Sequence, residues 1–109
     1  MTRNVLLLGR LGVVVEDAQR QLQVPDVQLF VATGPDEVWS ALAEADMDHV
    51  IMGAGLRLED RLEIIREVVL ASDRTTVHMK DVASGPEGFL PFARSVLAGL
   101  AGYKVCAAS

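Results

Sequence analysis

Gly9-Arg10-Leu11-Gly12, Gly53-Ala54-Gly55 and His78-Met79-Lys80-Asp81 carry the residue types from which a site could be built in this 109-residue chain. Each sits at the end of an apolar run. Glycine lets backbone come close to a ligand, and a helix starting just beyond it offers unpaired N–H donors to an anion. Arg10 adds a planar fork suited to phosphate or carboxylate. Gly9, Arg10, Gly12, Gly53 and Gly55, with Thr33 from Ala32-Thr33-Gly34, form one candidate set for a small anionic ligand. His78 and Lys80 lie two apart on a strand, hence on one face, with Asp81 next to them. A histidine near a carboxylate serves as acid or base, and a desolvated lysine as base or Schiff-base nucleophile. The plainer alternative is that the glycines make tight turns and the charged run is the wet side of an edge strand.

Several familiar chemistries are missing. Gly9-Arg10-Leu11-Gly12 lacks the G-x-G-x-x-G spacing, and the run from Gly53 has Leu58 where the third glycine belongs. No G-x-x-x-x-G-K-[ST] or G-x-S-x-G occurs. His49, beside Asp46 and Asp48, is expected at the opposite end of the strands from His78, so no histidine-based metal site is expected. Cys106 is the sole cysteine, which leaves no internal disulfide and no cysteine-based zinc site. No metal or cofactor is expected. Asp46 and Asp48 solvate a turn, and Glu59, Asp60, Glu63 and Glu67 alternate with Arg57, Arg61 and Arg66 as an ion-paired helix surface.

The elements that must position these residues follow from periodicity. Continuous apolar runs at 4–8, 27–31 and 49–52 read as strands, and 75–80 alternates like an edge strand, with Val77 and Met79 against Thr76, His78 and Lys80. Between them, 14–22 has helical spacing, and Thr33-Gly34-Pro35-Asp36-Glu37 opens a second helix whose inward residues are Val38, Ala41, Leu42 and Ala45, with Trp39 on a flank. The third helix spans 58–71. Leu58, Leu62, Ile65 and Val69 cluster on one side of it and should pack on the sheet. Ile64 and Val68 form a second strip, either a wider core face or a contact for another subunit. Ser84-Gly85-Pro86-Glu87 repeats the helix-start device before Phe89, Phe92, Val96 and Leu97, and Gly99 or Gly102 ends that helix.

The βαβαβαβα alternation requires parallel strands joined by right-handed crossovers with helices on both faces. The expected fold is a three-layer α/β sandwich over residues 1–102, with a four-stranded sheet in the order 2-1-3-4, flavodoxin-like or half-Rossmann. Residues 103–109 are expected to form a flexible tail. Net charge is −5 and the basic residues are scattered, so no nucleic-acid partner is expected. No apolar run nears the roughly 18–20 residues of a membrane span, and the first is too short for a signal peptide, so a cytoplasmic protein is expected.

With these elements placed, the chain resembles a shortened response-regulator receiver in layout. Receivers carry acids after strand 1, a phospho-accepting aspartate ending strand 3, and a hydroxyl residue and a lysine ending later strands. Here Gly9-Arg10 stands for the acids and Gly53 for the acceptor, Lys80 alone matches, and one βα unit is lacking. Phosphotransfer at Gly53 is chemically impossible. Residues 48–55 and 76–92 are also similar to small uncharacterised bacterial proteins of this length, which implies no activity. The leading expectation is a non-catalytic domain acting through protein contact as a homodimer, with Ile64 and Val68 at the contact. The alternative is a ligand-binding or enzyme site at the carboxyl edge of the sheet.

Overall fold

The computed structural model describes the backbone of residues 2–108 and the side chains of residues 2–100. Strands β1 (Arg3–Leu8), β2 (Val27–Ala32), β3 (His49–Met52) and β4 (Thr76–Met79) alternate with helices α1 (Gly12–Gln21), α2 (Pro35–Glu44), α3 (Leu58–Ala71) and α4 (Phe89–Ala108). All pairings are parallel and the order is β2-β1-β3-β4. This is the open three-layer flavodoxin-like arrangement that the alternation demands.

β1 is the centre of the sheet, with β2 on one side and β3 on the other. Its residues are therefore covered on both faces, and Val5, Leu6, Leu7 and Leu8 are all fully buried. The two-residue period of a strand sorts them. Leu6 and Leu8 join Val50 and Met52 beneath α2 and α3, while Val5 and Leu7 join Ile51 beneath α1 and α4. Phe89, Ala93 and Leu97, four apart along α4, form its buried line on the second face.

The helix starts follow local chemistry. Pro35 occupies the first turn of α2, where its missing N–H costs nothing, and Asp36 and Glu37 face the positive end of the helix dipole. The Thr33 amide and hydroxyl both donate to Glu37 Oε1 at 2.6 Å, closing the loop onto the first turn. Those two bonds, the hydroxyl's first, hold the Glu37 carboxyl below its ordinary range. Pro86 opens a single 3₁₀ turn, Pro86–Gly88, from which α4 continues. α4 runs on through Gly99 and Gly102, where the sequence suggested an end, because a helix-interior glycine costs only about 1 kcal/mol relative to alanine. The side chains of the expected tail, 103–109 including Cys106, lie outside the described residues.

Two faces are the reverse of the sequence reading. In α3, Ile64 and Val68 are the buried residues, at 0% and 1% exposure, whereas Leu58, Leu62 and Val69 are more than half exposed. Ile64 and Val68 are therefore core residues and not a subunit contact. The reason is that α3 lies over the edge of the sheet. β4 is the last strand, so only a narrow strip of α3 finds strands beneath it, and the broader apolar strip overhangs. In β4 the alternation breaks at its end. Met79 is 45% exposed, while Lys80, whose amide continues the ladder by donating to the Met52 carbonyl at 2.9 Å, is buried.

Candidate functional site

The carboxyl ends of β1 and β3 lie side by side where the chain order reverses, the place at which open α/β sheets bind ligands. A cavity of about 250 Å³ opens there. Its lining brings together Gly9, Arg10, Gly53, Gly55 and Lys80, five of the positions expected from sequence. The Gly53 amide donates to the Leu8 carbonyl at 2.7 Å, which fixes the end of β3 against the end of β1.

Two of these glycines are spaces that other side chains fill. A Cβ at Gly53 would stand 3.3 Å from Phe89 Cδ1 and 3.5 Å from the Leu8 carbonyl oxygen, so the Phe89 ring lies where a side chain at the end of β3 would project. At Gly55, a Cβ would meet Arg10 Cβ at 3.3 Å and its Nε at 3.6 Å. Arg10 thus folds across Gly55, with its charged group at the rim of the cavity.

Lys80 is the charged group at the other side. Its side chain is only 3% exposed. Nζ donates to the Asp81 carbonyl at 2.8 Å and stands 3.7 Å from the Asp81 carboxylate. That carboxylate also accepts from the Ser84 hydroxyl at 2.5 Å. The Ser84 bond chiefly, and Lys80 secondarily, holds the Asp81 carboxyl below its ordinary range. A lysine ammonium has three donors, and one hydrogen bond to a neutral carbonyl leaves it under-satisfied for a group so far from water.

The rest of the lining is apolar: Leu11, Val14, Ala54, Val82, Pro86 and Phe89, with Gly85. By sequence, Ser84-Gly85-Pro86-Glu87 reads as a helix start and Phe89 as a core position. Their role as a wall of the cavity shows only once α4 is seen crossing the end of β3. Leu56, just beyond Gly55, does not line the cavity and is packed in the core beneath α2 and α3.

Four expected positions lie outside the cavity. Thr33 is engaged with Glu37, Gly12 is the first residue of α1, and Asp81 is turned to Ser84. His78 lies elsewhere. The sequence placed His49 and His78 at opposite ends of the strands, but their ring centroids are 5.7 Å apart. The parallel register pairs His49 with Thr76 and Ile51 with His78, so strands of four residues keep both rings on one face. Thr76 Oγ1 joins them, 2.5 Å from His49 Nδ1 and 3.1 Å from His78 Nε2. Among the described residues no cluster of three or more His, Cys, Asp or Glu could hold a metal.

Burial, then the neighbouring His78, pushes the His49 pKa below its ordinary 6.5, with Arg3 adding slightly and Asp48 opposing. Lowering in the folded state means that the unfolded chain binds the proton more tightly. The neutral ring's contribution to stability is then complete above the unfolded value and is lost as pH falls through the window below it. His49→Gln should accordingly flatten the decline in the urea midpoint measured from about pH 7 to about pH 5. An unchanged slope would show that His49 does not contribute to it.

The fold and this edge define a small open α/β domain with one cationic, largely apolar crevice at the carboxyl ends of its central strands. In comparisons with known proteins, no family model, no curated protein and no solved structure matches the chain. Among the described residues no helix is long and apolar enough to cross a membrane.

Proposed function

We propose that this domain binds a small organic anion, a carboxylate or phosphate ester with a compact apolar body, in the crevice between β1, β3 and α4. The observation that carries this reading is Lys80, a buried ammonium on the cavity wall whose one hydrogen bond goes to a neutral carbonyl and whose ion pair with Asp81 is long, at 3.7 Å. An anion entering the crevice would complete its shell, Arg10 would close over the same charge, and Leu11, Val14 and Phe89 would take the apolar part. The lining sets two cations, Arg10 and Lys80, among apolar groups, which suits an anion with an apolar body.

Calorimetry and thermal shift with a panel of aliphatic carboxylates, aromatic carboxylates and phosphorylated metabolites test this. A hit should weaken about tenfold or more in Arg10→Ala and in Lys80→Met, since hydrogen bonds to charged groups contribute about 1.5–3 kcal/mol each. No hit across the panel, or hits indifferent to both variants, would overturn the reading. A second reading, action through contact with protein, is favoured by the exposed apolar strip on α3. It is compatible with the first, because that strip and the crevice share no residue.

A further inference from the structure

The exposed strip of α3 has a spacing of its own. Leu58, Leu62, Ile65 and Val69 follow one another at intervals of four, three and four residues. That spacing gives a helix one continuous apolar side, and here the side faces away from the sheet, where it can pack along another helix. Leu58, Leu62 and Val69 are 55%, 58% and 53% exposed, while Ile65 touches the core. The strip also has a definite direction. α3 runs antiparallel to the strands above β3 and β4, with α2 packed on its β1 side. About a quarter-turn from Ile64 and Val68, in the helix's right-handed sense, brings the strip to the β4 side, past the edge of the sheet. Met79, on the same sheet face as Val77, is exposed below it.

We infer that this seam docks a second copy of the same chain, α3 against α3 in antiparallel register about a two-fold axis. The spacing is self-complementary: the axis passes between Leu62 and Ile65, setting each Leu62 against the partner's Ile65 and each Leu58 against the partner's Val69. The charges agree with that register. Glu59 and Arg66 both lie on the solvent side of the seam, about a quarter-turn from it, and the two-fold brings Glu59 of each copy beside Arg66 of the other. Glu59 has only a loose neighbour within its own chain, Arg57 at 3.7 Å with both side chains 72% exposed. A parallel pairing would carry the two copies of Glu59 and Arg66 to opposite sides of the seam and leave this pair unmade. The antiparallel register also brings the two β4 edges alongside each other, covering a short edge strand that is otherwise open.

Sedimentation equilibrium of the full chain at micromolar concentration tests this, with twice the 11.7 kDa chain mass expected. Leu62→Glu, at a solvent-exposed position, should leave circular dichroism and the melting curve of the monomer intact and weaken the dimer at least about a hundredfold. Glu59→Arg and Arg66→Glu, each alone, set like charges opposite one another and should weaken it by about threefold to tenfold; combined, they should restore it. A monomer at all concentrations would overturn the proposal, as would a dimer unaffected by Leu62→Glu. A double variant no tighter than either single one would overturn the antiparallel register.

Discussion

Ile64→Ala should lower the unfolding free energy by about 2–5 kcal/mol, whereas Leu62→Ala, two residues away on the same helix, should change it by no more than about 0.5 kcal/mol in the monomer. Ile64 is fully buried among Leu6, Leu8, Val50 and Met52, so its truncation removes transfer energy and leaves a void that the sheet beneath cannot collapse to fill. Leu62 is 58% exposed and loses little on truncation. Urea unfolding of both variants, run at concentrations where any dimer is dissociated, reads the contrast directly. Equal losses, or a larger loss at Leu62, would mean that α3 is rotated on the sheet from the orientation described.

Phe89→Ala should cost about 3–5 kcal/mol and also change what position 53 tolerates. Phe89 is 2% exposed and belongs to the core shared by Val5, Leu7 and Ile51, yet its ring edge also forms the floor of the crevice. In the parent chain, a methyl at position 53 meets that ring at 3.3 Å, tighter than ordinary contact, so Gly53→Ala should destabilise. With the ring removed, the same methyl enters vacated space. A double-mutant cycle should therefore show Gly53→Ala less costly in the Phe89→Ala background, with a coupling of about 0.5–3 kcal/mol, the range for residues in contact. Additive effects would place the ring elsewhere.

Much of the fold was legible because it depends on local pattern. The continuous apolar runs of β1 and β3 are what burial on two faces requires, and Pro35 and Pro86 mark helix starts by their own stereochemistry. The sheet order followed from short connections and right-handed crossovers. The orientation of α3 was not legible, because a helical wheel shows where apolar residues cluster and not where the sheet stops. Leu58, Leu62, Ile65 and Val69 make the broader cluster, but the edge position of β4 gave the inward place to Ile64 and Val68. The meeting of His49 and His78 was hidden for a similar reason. Register along short parallel strands is a tertiary property, and it is the pairing of His49 with Thr76 that brings His78 within reach. In the crevice, Arg10 and the glycines could be read from the ends of strands. The burial of Lys80 depends on where the turn before α4 lies, since a Cβ at Gly88 would stand 3.1 Å from Lys80 Cε, and Phe89 as a wall depends on where α4 crosses.

The way α4 covers the sheet bears on how the chain can be made. The face formed by Val5, Leu7 and Ile51 is covered by α1 and by the α4 line of Phe89, Ala93 and Leu97, and Arg3 Nη1 donates to the Leu100 carbonyl at 3.2 Å. Within this domain, the strand made before the others is thus among the most deeply buried, and its cover on this face is completed by the helix made after them. Until α4 emerges, a complete sheet carries a face that α1 covers only in part, so the domain has no stable half and folds as one unit once α4 is available.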